Sequence, residues 1–173
     1  MNEDFIIPLN GLTAGKNEFF IHAGKAFFES FENEEILDAD LQIRILVEKS
    51  GRYIGIDCDI EGEVTVECDR CLEMLQMPVD EQVRLSVKFG EEESEIGQDA
   101  EREVIFVKED DTELDMSQIV YDYACLALPM QRVHEPGGCN PEVMKHFGVV
   151  QEQEHDIEDE EKNPFAALKD MFK

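Results

Sequence analysis

The fold is decided by residues 41–68, which read LQIRILVEKSGRYIGIDCDIEGEVTVEC. Every second residue is apolar from Leu41 to Val47, and after a Ser-Gly turn the alternation returns and continues to Cys68. A period of two places the apolar side chains on one face of a strand. Turn-forming residues between two such runs predict a β-hairpin, and Gly62 predicts a bend in its second strand.

A third alternating run, from Val79 to Phe89, extends the hairpin to a three-stranded meander over residues 41–89. Short apolar runs predict further strands at residues 4–10, 18–22 and 104–107. The sequence therefore predicts an α+β fold, with a curved antiparallel sheet or partly open barrel and a few short packing helices.

Two helices are expected to pack on this sheet. Phe27, Phe28 and Phe31 follow Gly24 at helical spacing and predict a short helix with an aromatic face. Asp115 and Gln118 form a capping-box pattern that predicts the start of a second helix, and Pro129 is expected to end it. Together these elements predict one α+β domain over residues 1–150.

Two acidic segments interrupt or follow this domain. Residues 90–101 are too charged to bury anything, so we expect a mobile loop, and residues 151–162 are expected to be a disordered linker. Asn163 and Pro164 then favour a short amphipathic helix over residues 163–173. The helix either docks on a partner or folds back on its own domain, through an apolar face formed by Phe165, Leu168 and Phe172.

Charge restricts the partners of the chain. It has 42 acidic and 15 basic residues, and its net charge of −27 repels phosphate backbones and attracts basic proteins. The start of the chain lacks the basic and apolar regions of a secretory signal, and no apolar run is long enough to span a membrane. We therefore expect a cytoplasmic protein that binds no membrane and whose five cysteines are free thiols.

Four side chains form a candidate zinc site. Cys68 and Cys71 form a C-x2-C knuckle at a strand end, and a glycine-rich loop later offers His134 and Cys139. Three thiolates and an imidazole are a common ligand set of structural zinc. The alternative is that the halves never meet, with Cys68 continuing the inward face of its strand as a core thiol.

Basic residues near these cysteines allow two interpretations. Arg70, Arg132 and Lys145, with His146, could form a small basic island that contacts RNA, or they could neutralise nearby thiolates and acids. The chain has no phosphate-binding loop, nucleophile elbow or zinc-protease helix, and no feature indicates a small-molecule substrate. A zinc ion with four protein ligands would also lack an open coordination position, so we expect no catalysis and rank a zinc-dependent enzyme last.

Four motifs in this order resemble the YceD family. They are Cys68-Asp-Arg-Cys71-Leu72-Glu73, Leu126-Ala-Leu-Pro129, the pair His134 and Cys139, and Asn163-Pro-Phe-Ala-Ala-Leu-Lys169. Other members carry a fuller set of cysteines after the Leu-Pro element. The resemblance implies a role in the synthesis, processing or stability of large-subunit ribosomal RNA, without enzymatic activity.

The resemblance and the charge together predict how the chain acts. We expect a non-catalytic factor that contacts basic large-subunit ribosomal proteins or assembly intermediates through its acidic surface. The alternative is a direct binder of precursor ribosomal RNA that uses the knuckle and the basic island.

Overall fold

The computed structural model describes residues 3–90 and 102–147 of the chain. These divide into two compact units, with the boundary between Cys139 and Asn140. The first unit holds a short 3-10 turn at Glu3–Phe5, seven strands and two helices. They are β1 (Ile6–Pro8), β2 (Gly15–Gly24), α1 (Lys25–Glu29), β3 (Ile36–Ser50), β4 (Tyr53–Glu67), β5 (Met74–Phe89), β6 (Glu103–Val107), β7 (Glu113–Asp115) and α2 (Ser117–Leu126). The described part of the second unit holds α3 (Pro141–His146).

Five strands form one open sheet in the order β2-β3-β4-β5-β6. The predicted meander is its centre, and the β3–β4 hairpin closes at Gly51, whose φ is +63°. The predicted α+β class is thus confirmed. One strand departs from the antiparallel pattern, because β6 pairs in parallel with β5. A parallel neighbour needs a long connection, and residues 90–102 supply it.

Strand β5 begins at Met74, well before the predicted start at Val79, and runs through Pro78. Proline has no N–H to give to a sheet, so it is tolerated where a strand is an edge. Among the described residues β6 covers β5 only from Leu85 to Phe89, so Pro78 needs a partner only on its β4 side, where it lies opposite Glu63.

Gly62 stands where the sequence predicts a bend in β4. Its φ is +148°, and a Cβ atom there would lie 2.1 Å from the carbonyl oxygen of Asp40. β3 and β4 approach so closely at this point that only glycine fits. The pairing of β4 with β3 and with β5 continues through Gly62 without a break.

One face of the sheet forms the core, as the alternation predicts. Helix α1 begins where it was predicted and buries Phe27 and Phe28, but it ends at Glu29, so Phe31 lies in the turn that follows. Phe27 stacks on Phe5 at 4.5 Å between ring centroids. Tyr121 of α2 stacks on Phe31 with 4.3 Å between ring centroids. Aromatic rings from distant parts of the sequence therefore pack together at the α1 side of the core.

The start of α2 differs from the predicted capping box. The helix begins at Ser117, and Asp115 Oδ1 accepts hydrogen bonds from the backbone N and the hydroxyl of Ser117. Gln118 instead donates to Asp122 one turn on. Asp115 is drawn out of the cap position because it ends β7, which pairs with β1 in a separate two-stranded sheet.

Several predicted features lie outside the described residues: the acidic loop from residue 91 to 101, the domain end at residue 150, the linker over residues 151–162 and the helix over residues 163–173. Among the described helices, none has the length and apolar character needed to cross a membrane.

Candidate metal centre

The first half of the centre is a tight turn between β4 and β5. The backbone N–H of Leu72 donates to the Cys68 carbonyl at 2.9 Å, and the N–H of Cys68 donates to the Glu73 carbonyl at 2.9 Å. Leu72 takes a positive φ of 60°, which lets the chain reverse within a few residues. This geometry places the Cys68 and Cys71 side chains together, and both are buried.

The second half is the loop that follows α2. His134 begins a turn closed by a 2.8 Å hydrogen bond from the N–H of Gly138 to the carbonyl of Glu135. Gly137 has a φ of +88°, a conformation that suits glycine. The turn returns Cys139 beside His134, and the Cys139 side chain is buried.

A clamp between Asp69 and Arg132 holds the two halves together. The N–H of Asp69 donates to the Arg132 carbonyl at 2.7 Å, and the N–H of Arg132 donates to Asp69 Oδ2 at 2.6 Å. The Arg132 guanidinium also donates to Glu35 at 2.9 Å and lies 3.8 Å from Asp69 Oδ1. Sequence reasoning missed the roles of Asp69 and Glu35, because nothing in residue spacing indicates which loops meet.

The four predicted ligands converge. Their ligand atoms all lie within 4.8 Å of one another. Cys71 Sγ is 3.4 Å from His134 Nδ1, and Cys139 Sγ is 3.9 Å from both that nitrogen and Cys68 Sγ. Tetrahedral zinc with ordinary bond lengths needs sulfur–sulfur edges of about 3.8 Å and sulfur–nitrogen edges of about 3.6 Å. The cluster could therefore hold a metal ion of this size.

The imidazole of His134 is oriented for such a role. Its Nε2 lies 3.2 Å from the carbonyl oxygen of Met74, to which an N–H can donate. That tautomer leaves the lone pair on Nδ1, the nitrogen that faces the sulfurs. A backbone acceptor on the far ring nitrogen is the usual support for a metal-binding histidine.

Ionisation in the cluster is uneven. Burial works to raise the pKa of the Cys68 thiol, but hydrogen bonds from the backbone of Cys71, Arg70 and His134 outweigh it and lower that pKa to about 6. Hydrogen bonding to the Cys68 sulfur raises the pKa of His134. Burial, followed by contacts with the other two sulfurs, raises the pKa of Cys139. The cluster alone thus favours a thiolate at Cys68, and the negative charge on that sulfur opposes ionisation of Cys139 at this distance.

The structure places two of the three predicted RNA-contacting residues beside the cluster. Arg70 Nη1 lies 3.9 Å from Cys139 Sγ, and Arg132 is held by Glu35 and Asp69 as described. Lys145 is exposed in the last turn of α3, in the second unit. Phe165, Leu168 and Phe172, predicted as a docking face, lie outside the described residues.

The two remaining cysteines stand apart from the candidate ligands. Cys58 is buried in the core, and burial raises the pKa of its thiol to about 12. Cys125 is half-buried in α2, where burial raises its pKa. Asn33 lies 3.7 Å from its sulfur. Their surroundings suit packing more than metal binding.

Comparison with known proteins supports the motif resemblance. One family profile matches residues 56–172, more than half of the chain, and its description is large ribosomal RNA subunit accumulation protein YceD. The matched range contains all four candidate ligands and the C-terminal motif. No curated protein and no solved structure matches the chain. From the motifs and this match together, the chain belongs to the YceD family, whose name implies a role in the accumulation of large-subunit ribosomal RNA.

Proposed function

We propose that this protein is a non-catalytic cytoplasmic factor that supports the synthesis, processing or stability of large-subunit ribosomal RNA. It would act by contacting basic ribosomal proteins or assembly intermediates. The observation that carries the proposal is the family match over residues 56–172 in a chain whose net charge is −27. A field of that sign speeds encounters with basic proteins and opposes a large contact with a phosphate backbone.

The solvent face of the sheet supports the protein-binding part of this proposal. Glu61 of β4 lies directly opposite Asp80 of β5, and Asp40 of β3 lies opposite Glu63 of β4. All four side chains are exposed. Like charges in directly opposed positions of a sheet destabilise it, so a basic partner laid on this face would relieve repulsion already present in the fold.

We propose zinc as the ion of the cluster, held by Cys68, Cys71, His134 and Cys139. The donor set suits tetrahedral zinc, and three of the edges, at 3.4, 3.9 and 3.9 Å, are close to those that its bond lengths require. Bound zinc would neutralise the thiolates and fix the turn after β4 against the loop after α2. Four protein ligands leave no open position for a water nucleophile, so the role is structural, in keeping with a non-catalytic factor.

Direct binding of precursor ribosomal RNA through Arg70, Arg132 and Lys145 is the competing function. The Arg132 guanidinium already contacts two carboxylates and only 22% of its side chain is exposed, which leaves it little capacity for phosphate. Arg70 faces a sulfur of the cluster. These contacts favour local charge neutralisation over RNA contact.

The C-terminal face of Phe165, Leu168 and Phe172 is proposed as a second docking element for a protein partner.

Purification of the tagged protein from growing cells, with and without nuclease, tests this function. Protein mass spectrometry and RNA sequencing would identify what remains bound. We expect basic large-subunit proteins to survive nuclease and to dissociate as salt is raised, because screening weakens attraction between surface charges. A complex that consists of precursor RNA and is lost to nuclease would overturn the proposal, as would protein retention that does not depend on salt.

Variants separate the two functions. Arg70→Ala with Lys145→Ala removes two of the proposed RNA contacts and leaves the Asp69–Arg132 clamp in place. If RNA is the direct partner, this variant should lose RNA and should fail to restore large-subunit ribosomal RNA levels in cells that lack the native chain. We expect both protein retention and RNA levels to be maintained.

A further inference from the structure

A groove opens beside the metal centre, on the side of the first unit where β3 begins and β4 ends. Its volume is about 220 Å³, and Cys68 lies at its inner wall. We call it the knuckle groove, and the side chains that line it otherwise are Glu34, Glu35, Glu67, Asp69, Leu72 and Arg132. A second groove of about 210 Å³, which contains Met130, shares Glu35 and Arg132 with it.

Apolar side chains stand exposed around the groove. Leu72 is 71% exposed and Met130 is fully exposed, although both are large and apolar. Leu72 also takes a φ of +60°, where asparagine or glycine is far less strained. A leucine here costs conformational energy and gains almost no burial within the described residues. Such strain at a surface position is typical of a side chain kept for contact with a partner.

The charge of the groove is strongly acidic. Four carboxylates line it against one guanidinium, and that guanidinium is committed to Glu35 and Asp69. Glu34 and Glu67 make no ion pair among the residues that the structure describes, and both are exposed. The groove therefore presents two available negative charges, those of Glu34 and Glu67, together with the exposed apolar side chain of Leu72.

We infer that the knuckle groove binds an extended, basic segment of a partner protein. An apolar side chain of that segment would pack on Leu72, and lysine or arginine residues beside it would pair with Glu34 and Glu67. Apolar anchors in a charged rim are the usual source of affinity and specificity at such surfaces. The choice of a basic protein as occupant rests on the proposed function, and the same carboxylates would repel a nucleic acid.

A labelled peptide tests the groove directly in the full-length protein. The probe is a short fluorescein-labelled peptide of alternating lysine and leucine, and the control peptide has serine in place of leucine. Binding is followed by fluorescence anisotropy at about 0.15 M salt, where the Debye length of about 8 Å suppresses attraction by the distant field. We expect the wild-type protein to bind the leucine peptide at least about fivefold more tightly than the serine peptide.

Two groove variants and one matched control locate the binding. Glu34→Lys with Glu67→Lys should weaken binding of the leucine peptide by about tenfold or more, because both pairs become repulsive. Leu72→Asn should remove the preference for the leucine peptide, and asparagine adopts the φ of this position with little strain. Glu61→Lys with Asp80→Lys makes the same change in net charge on the sheet face, and its effect should stay below about twofold.

Two results would overturn the inference. One is equal weakening by the groove and sheet-face variants, which would mean that only net charge matters. The other is a wild-type protein that binds the two peptides equally or not at all. The peptide assay contains no ribosomal component, so its failure would refute the groove and leave the proposed function standing. Loss of all basic proteins in the nuclease purification would instead refute the proposed function and, with it, the natural occupant, whereas peptide binding by the groove could still be measured. Melting curves of each variant would verify that it is folded.

Discussion

Replacing Cys71 with serine tests whether the four-ligand cluster holds a structural metal. The Cys71 thiol is buried and its sulfur lies 3.4 Å from His134 Nδ1. If no metal binds, the substitution places a hydroxyl where a thiol was buried, at a cost of about 1–3 kcal/mol. If zinc binds, the substitution also removes one of its four ligands, and the binding free energy of the metal is then lost from the folded state.

The size of the metal contribution can be estimated separately. Free zinc at about a thousand times its dissociation constant stabilises the folded protein by about 4 kcal/mol. For a chain of this size each kcal/mol changes the melting temperature by about 2–4 °C. Removal of zinc from the wild-type protein should therefore lower its melting temperature by about 8–16 °C.

Melting curves with and without a strong chelator separate the two contributions. We expect chelation to destabilise the wild-type protein and to leave Cys71→Ser almost unaffected, because that variant has already lost tight zinc. Cys125→Ala is the matched control, since it removes a half-buried thiol that is not one of the four candidate ligands. It should keep the full response to chelator.

One result would refute this reasoning. If the purified wild-type protein contains no stoichiometric metal and melts at the same temperature with and without chelator, the four residues are packing residues. The loss in Cys71→Ser would then stay within the range of the buried hydroxyl alone.

Three further predictions follow from other contacts. Gly62→Ala should destabilise the protein by about 3 kcal/mol or more in urea unfolding, because the new Cβ would lie 2.1 Å from the Asp40 carbonyl oxygen; an unchanged midpoint would contradict the close approach of β3 and β4. Asp69→Ala should lower zinc affinity about 10- to 100-fold in competition with a chromogenic chelator, since it removes the carboxylate that accepts from the Arg132 N–H and leaves only the backbone half of the clamp; unaltered affinity would mean that the halves meet without that carboxylate. Cys58, buried and with a pKa near 12, should resist iodoacetamide until the protein unfolds, and rapid labelling of the native protein would contradict its place in the core.

Local patterns predicted much of the fold. The alternation over residues 41–89 identified three neighbouring strands and the face that each one buries, because side-chain direction in a strand is a local property. The aromatic helix after Gly24 was predicted for a similar reason. The start of α2 was misplaced by one residue, because Asp115 had a pairing partner in β1 that no local signal revealed.

The sequence predicted which four residues form the candidate site, but only part of how the fold brings them together. Cysteine and histidine are rare and chemically distinct, so the sequence alone was sufficient to select Cys68, Cys71, His134 and Cys139. The spacing of residues in the sequence did not predict that these four side chains meet. It also did not predict the Asp69–Arg132 clamp or the strained backbone of the exposed residue Leu72.

Local patterns in the chain were thus sufficient to predict the alternating strands, the acidic charge, the four candidate ligands and the motifs of the YceD family. Three features became visible only in the folded protein: β6 joins the sheet in parallel, β1 pairs with β7, and two distant loops close into one cluster. The physical reason is that periodicity and side-chain chemistry act within a few residues of the chain. Contact between segments far apart in the sequence depends on the packing of the whole domain, whose favourable free energy must offset the entropy lost in closing the loops between them.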